Sequence, residues 1–127
     1  MQDQPSPSEI LCAIAAFLRT TVIPNSDPHT AFQARVAANA ADLVRRQLEF
    51  GTSGEAAELK RLQALLGPGT LAELNTALAE ALATGANGLS TPGVSEHLRA
   101  TTLEKLQVDQ PNYSGYLAAL ERPLEDT

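Results

Sequence analysis

Apolar residues at helical spacing run through most of the chain and predict an all-α fold. The longest run without an interior glycine or proline covers residues 28–50, PHTAFQARVAANAADLVRRQLEF. Asp27 stands at the N-cap position of this run and Pro28 at its first helical position, while Gly51 can close its other end. We therefore predict a long central helix here, surrounded by the other helices of a single-domain bundle.

The apolar side of the predicted central helix covers about half of its circumference. Its members are Phe32, Val36, Ala40, Leu43, Val44 and Phe50, widened by Ala37, Ala41 and Leu48. Such a wide side predicts a helix with packed neighbours on two sides, and the alanines would let those neighbours come close.

A capping pattern marks the start of the helix that precedes the central one. Ser6, Pro7 and Glu9 have the spacing of a capping box with a first-turn proline, and Pro24 ends the helix that follows. This first helix contains ILCAIAAFL, which is apolar nearly all round. It is therefore expected to be buried or to cover an interface.

The second half of the chain predicts three or four further helices. A third helix opens at Thr52 and ends at Gly67, and a fourth opens at Thr70, so that residues 55–83 form a helical hairpin. A fifth helix covers about 91–108 and a short sixth covers 114–120. The whole chain, 1–127, is thus predicted to be one domain of five or six helices, with frayed ends at 1–5 and 123–127.

Composition narrows the possible partners. The net charge of -6 and the absence of tryptophan argue against a nucleic-acid surface. The longest apolar run, Ile10–Leu18, is shorter than the ~20 residues that span a bilayer, and no secretory signal precedes it. The lone Cys12 cannot form an internal disulfide. These features predict a cytoplasmic protein that binds neither nucleic acid nor membranes.

Several polar residues lie at positions where they need partners. Asn39 borders the apolar side of the central helix, and Lys105 falls within that of the fifth helix. One hypothesis is structural: the two helices pack together, and Asn39 with Lys105 marks a polar seam between them. The other is a site for an anionic group, on which Arg35, Asn39, Arg99 and Lys105 would converge. Asp109 and Tyr113, at the exit of the fifth helix, are further candidates: Asp109 as a carboxylate partner of these cations and Tyr113 as a rim residue, unless the two only form a turn.

Motifs for catalysis and metal binding are missing. The only histidines, His29 and His97, lack the H-E-x-x-H spacing and have no cysteine pair beside them. There is also no nucleophile elbow and no phosphate-binding loop. The sequence predicts no metal, no cofactor and no catalytic residues.

Two blocks of the sequence resemble a known family. HLRATTLEKLQVDQPNYS and PHTAFQARVAANAADLVRR are similar to the two signature blocks of a family of small bacterial helical domains whose function is unassigned. In that family the domain accompanies aminoglycoside-phosphotransferase-like kinases and acyl-CoA dehydrogenases. The resemblance implies an accessory role beside such an enzyme, and it carries over no catalytic residue.

The expected function is therefore a non-catalytic helical accessory or interaction module. Its partner would be a larger metabolic enzyme or a second copy of the chain. The alternative is a binding protein for a carboxylate, phosphate or acyl-CoA-type anion. A small hydrolase or transferase is a third hypothesis.

Overall fold

The computed structural model describes residues 4–122, and in them it confirms the all-α prediction. The α-helices of this range are α1 (Pro7–Phe17), α2 (Pro28–Arg46), α3 (Thr52–Leu66), α4 (Leu71–Thr84), α5 (Val94–Asp109) and α6 (Ser114–Leu120). Two π-helical segments, Leu18–Val22 and Gln47–Gly51, and a 3-10 turn, Ile23–Asn25, complete the helical residues. The predicted frayed ends lie outside the described residues, except for Gln4 and Pro5.

The chain forms two compact helical units, divided between Glu49 and Phe50. The first unit contains α1 and α2, and the second contains α3 to α6. The assignment of 1–127 to a single domain stays a prediction.

Local hydrogen bonds start the helices where the sequence predicts. The backbone N–H of Glu9 donates to Ser6 Oγ (3.2 Å), and the backbone N–H of Ser6 donates to Glu9 Oε2 (2.7 Å), which completes the capping box of α1. The N–H of Thr30 donates to Asp27 Oδ2 (3.2 Å) at the start of α2. Hydrogen bonding from Thr30 also lowers the pKa of Asp27 below its ordinary value. These caps satisfy N–H groups that have no partner inside the helix.

Gly51 does not close the central helix, and that part of the prediction is wrong. Its backbone is right-handed helical (φ -61°, ψ -47°), and it ends a π-helical segment that leads directly into α3. No side-chain cap forms at the start of α3, because the preceding turn is itself helical. A glycine permits a left-handed conformation but does not require one. Gly85, by contrast, has φ +80° and caps α4 as expected of a helix-ending glycine.

The first unit packs through its small residues. The helices α1 and α2 pack against each other, and the buried residues of this pair are Ala15, Ala34 and Ala38. Most of the large apolar residues of this unit are exposed: Ile10, Ile14, Phe17, Phe32, Val36, Leu43, Val44 and Leu48. The predicted burial of the wide apolar side of α2 is therefore wrong. The buried side carries Ala34 and Ala38, and we call it the alanine side; its small residues allow the closer approach of the two helices.

The second unit has a leucine core built around α3. Leu62, Leu74 and Leu78 are buried in one cluster, and Leu59, Leu66, Leu71, Leu82 and Leu98 pack around it. The helix α3 packs against both α4 and α5, and α6 packs against α5. The predicted pairing of the third and fourth helices is confirmed.

One helical segment of the described residues, Pro7–Asn25, is long and apolar enough to cross a membrane, with a mean hydropathy of 1.3. A single segment of this kind is weak evidence, because core helices and signal sequences meet the same criterion. The expected cytoplasmic location stays a prediction.

Candidate functional site

A cluster of hydrogen-bonded polar side chains joins α3 to α5 in the second unit. His97, Thr101 and Glu104 lie on one face of α5, at the spacing of successive helical turns. They meet Arg61, which projects from α3. We call these four residues the Arg61 cluster.

All three nitrogen atoms of the Arg61 guanidinium donate hydrogen bonds to other members of the cluster. Its Nη1 donates to Glu104 Oε1 (2.9 Å) and its Nη2 donates to Glu104 Oε2 (2.8 Å), which makes a bidentate ion pair. A second bond from Nη2 reaches Thr101 Oγ1 (3.1 Å). The hydrogen-bonded Glu104 carboxylate raises the pKa of Arg61 above its ordinary value. This geometry fixes the rotation of the guanidinium and with it the register of the two helices.

His97 is the buried member of the cluster, with 2% of its surface exposed. Arg61 Nε donates to His97 Nδ1 (3.3 Å), so Nδ1 is an acceptor and the neutral ring carries its proton on Nε2. Burial lowers the pKa of His97 below its ordinary 6.5, and the charge of Arg61 lowers it further. The carboxylates of Glu58 and Glu104 oppose this shift. His97 is thereby held as a neutral hydrogen-bond acceptor.

Glu58 extends the polar contacts from α3 to α4. It is a buried carboxylate, and its Oε1 accepts a hydrogen bond from Asn75 Nδ2 (3.1 Å). Asn75 belongs to α4 and directly follows the buried core residue Leu74. The carboxylate thus ties α4 to α3, while the Arg61 cluster ties α5 to α3.

This arrangement suits a structural clamp better than a reactive centre. Every buried side-chain nitrogen and oxygen of the described residues has a hydrogen-bond partner. His97 is covered, so a substrate cannot reach it as a general base. In residues 4–122, no group of three or more His, Cys, Asp or Glu side chains could hold a metal ion.

The six residues selected from the sequence lie in both units. Arg35 and Asn39 are exposed on α2, where Arg19 Nη2 donates to Asn39 Oδ1 (3.0 Å). On α5, Lys105 is exposed rather than buried in an apolar side. Because Asn39 and Lys105 belong to different units, the seam between them stays a prediction.

The other selected residues lie near the junction of α5 and α6. Arg99 Nη2 donates to the carbonyl oxygens of Ala119 (2.7 Å) and Arg122 (2.6 Å), so it satisfies the C-terminal end of α6. Asp109 and Tyr113 are exposed at either end of the connecting turn. Their roles as ligand or partner residues stay predictions.

Sequence reasoning missed Arg61, Glu58 and Glu104, although a signal was present. His97, Thr101 and Glu104 form a polar stripe with spacings of four and three residues, the spacing of one helical face. Glu58 and Arg61 are three residues apart on the third helix. A stripe of polar residues on a helix usually faces solvent. Only the packing of α3 against α5 shows that this stripe faces another helix.

The cluster predicts that acid destabilises the second unit. The unfolded chain binds a proton at His97 near pH 6.5, whereas the folded chain binds it only at lower pH. Stability from this residue is therefore complete above pH 6.5 and falls as the pH drops below it. Urea denaturation between pH 8 and pH 5 measures this loss.

Two variants test whether that pH dependence comes from His97. His97→Asn places an acceptor near the position of Nδ1 but does not titrate, so it should flatten the dependence between these limits. His29→Asn, at an exposed position of α2, should leave the dependence unchanged. An equal effect of the two substitutions would contradict the assignment.

Comparison with known proteins places the chain in a family. A family model described as a domain of unknown function, DUF6285, matches residues 24–113, from the 3-10 turn before α2 to the residue before α6. This match confirms the resemblance to a family of domains whose function is unassigned. No curated protein and no solved structure matches the chain. The protein belongs to the DUF6285 family.

Proposed function

We propose that this protein is a non-catalytic helical accessory module that docks on a larger metabolic enzyme. The partner is an aminoglycoside-phosphotransferase-like kinase or an acyl-CoA dehydrogenase, the two classes that the sequence resemblance implies. The docking surface is an apolar groove on α1.

The groove on α1 is the observation that carries this proposal. It has a volume of about 430 Å³ and is lined by Pro5, Glu9, Ile10, Ala13, Ile14, Phe17 and Leu18. Ile14 and Phe17 are exposed although both are large and apolar. Contiguous apolar surface of this kind marks interaction sites on soluble proteins. An aromatic or aliphatic side chain of a partner would fill the groove and remove these residues from water.

The shape of the groove favours a protein over a small molecule. It follows one side of a single helix, and Glu9 is the one charged residue among those that line it. A small-molecule site encloses most of its ligand and adds several polar groups to orient it. The α1 groove offers an apolar contact surface but few polar groups to orient a ligand. It therefore suits a partner protein that makes many other contacts.

Binding of the two enzymes to this chain tests the proposal directly. The purified kinase and dehydrogenase from the same organism are titrated against the full chain by calorimetry. We expect one of them to bind, and we expect Ile14→Asp to weaken that binding at least about tenfold by placing a charge in the groove.

A matched substitution controls for the added charge. Leu89 is another large apolar residue, 73% exposed, in the connection between α4 and α5. Leu89→Asp should bind the enzyme as the unaltered chain does. The proposal fails if neither enzyme binds, or if Ile14→Asp binds as tightly as Leu89→Asp.

The anion-binding alternative has a separate test. Arg99 already donates to the end of α6, which leaves Arg35 and Lys105 as its exposed cations. A thermal-shift screen with phosphate, carboxylates and coenzyme A would reveal a ligand, because saturation at 100 times the dissociation constant adds ~2.7 kcal/mol. A shift abolished by Lys105→Met and retained by Ile14→Asp would favour this alternative.

A further inference from the structure

The exposed side of α2 carries a row of apolar residues at every fourth position. The row consists of Phe32, Val36, Ala40, Val44 and Leu48, and we call it the α2 ridge. The first four lie in α2 and Leu48 lies in the π-helical segment that follows it. Residues four apart form the ridges by which helices interdigitate. The four large side chains are 50–61% exposed, so the first unit does not cover this ridge.

The order of side-chain sizes along the ridge is symmetric about Ala40. Phe32 and Leu48 are the large ends, Val36 and Val44 are the intermediate positions, and Ala40 is the small centre. A two-fold axis through Ala40 would place Phe32 of one copy opposite Leu48 of the other. The same axis would place Val36 opposite Val44. The smallest residue would then lie where the two helices cross most closely, which is where close packing needs it.

The residues beside the ridge follow the same two-fold relation. Gln33 would face Gln47, and two amides can hydrogen-bond to each other. Self-complementarity of this kind is the property that a two-fold interface between identical chains requires.

Charge does not oppose a second copy as the occupant. The ridge itself contains no charged residue. The whole of residues 1–49 has five carboxylates and four arginines, a net charge of -1, whereas the chain as a whole has -6. Two copies can therefore bring these surfaces together without strong repulsion.

We propose that two copies of the chain form a homodimer in which their α2 ridges cross antiparallel about a two-fold axis at Ala40. A specific interface buries at least about 1,000 Å² in total, so residues on the flanks of the ridge must join its five members. We expect a weak dimer that forms as the concentration rises into the micromolar range. This interface lies on α2, and it does not depend on the α1 groove or on the proposed enzyme partner.

Sedimentation velocity of the full chain over a range of concentrations tests the dimer. The unaltered chain should change from monomer to dimer as its concentration rises. Ala40→Glu should raise the dissociation constant at least about tenfold, because the two-fold axis brings the two new carboxylates together. Ala79→Glu adds the same charge at an exposed position of α4 and should dimerise normally.

Cysteine crosslinking tests the position of the axis and does not depend on the folding of the glutamate variant. In a chain with Cys12→Ala, Ala40→Cys should form a disulfide-linked dimer on mild oxidation, because Ala40 faces its own copy across the axis. Ala79→Cys in the same background should remain monomeric. A chain that is monomeric at every concentration would overturn the proposal. So would a dimer that Ala40→Glu leaves intact, or equal crosslinking of the two cysteine variants.

Discussion

Replacing Leu62 with alanine is expected to lower the free energy of unfolding by about 2–5 kcal/mol. Leu62 in α3 is completely buried, with 0% of its surface exposed. It packs in the leucine cluster with Leu74 and Leu78 of α4. The substitution removes buried methylene and methyl groups and leaves a cavity that the surrounding helices can only partly close.

Urea denaturation followed by circular dichroism measures this loss. Leu89→Ala is the matched control, because it removes the same atoms from a side chain that is 73% exposed. It should change the free energy of unfolding by no more than about 0.5 kcal/mol. Equal losses for the two variants would show that Leu62 does not hold the core of the second unit.

Replacing Arg61 with methionine is expected to cost about 1–3 kcal/mol, between the values for exposed and buried ion pairs. Methionine keeps most of the aliphatic stem but removes every hydrogen bond of the guanidinium. The Glu104 carboxylate then loses its bidentate partner, and the buried Glu58 loses a nearby positive charge. The contact between α3 and α5 should weaken as a result.

Arg45→Met is the matched control for Arg61→Met. The two arginine side chains have nearly the same exposure, 27% and 26%, and each pairs with a glutamate. Arg45, however, pairs only with residues close in sequence, Asp42 three residues before it and Glu49 four residues after it, and such pairs are worth only about 0.3–0.5 kcal/mol each. Arg45→Met should therefore destabilise the chain less than Arg61→Met does.

A double-mutant cycle separates the Arg61–Glu104 interaction from the other effects of each substitution. With Glu104→Gln as the second variant, we expect a coupling of about 1–2 kcal/mol. Nuclear magnetic resonance gives an independent measurement, because loss of the Arg61 charge should raise the pKa of His97. Zero coupling together with an unchanged His97 pKa would contradict the geometry of the cluster.

The starts of the helices could be predicted from the sequence because they depend on neighbours a few residues away. Ser6, Asp27 and Thr70 each accept a hydrogen bond from a backbone N–H three residues further on. Such a bond is a property of the local chain, and so is the helical spacing of the leucines in α3 and α4. The all-α fold followed from these two signals.

The Arg61 cluster could not be predicted in the same way. Arg61 and Glu104 are 43 residues apart in the sequence, and nothing near either residue selects the other. Their contact exists because α3 and α5 pack at a particular rotation. Helix rotation depends on the fit of whole faces, which a pattern of single residues does not determine.

The sequence by itself determined that this chain folds into helices, where most of them begin, and that α2 has one wide apolar side. Only the tertiary structure decided that the alanine side, and not this wide apolar side, is buried. In the first unit the alanine side of α2, with Ala34 and Ala38, is buried, and Phe32 is 61% exposed. The physical reason is that hydrophobicity favours the burial of either side, whereas the distance between helix axes depends on side-chain size, and alanines allow the closest approach.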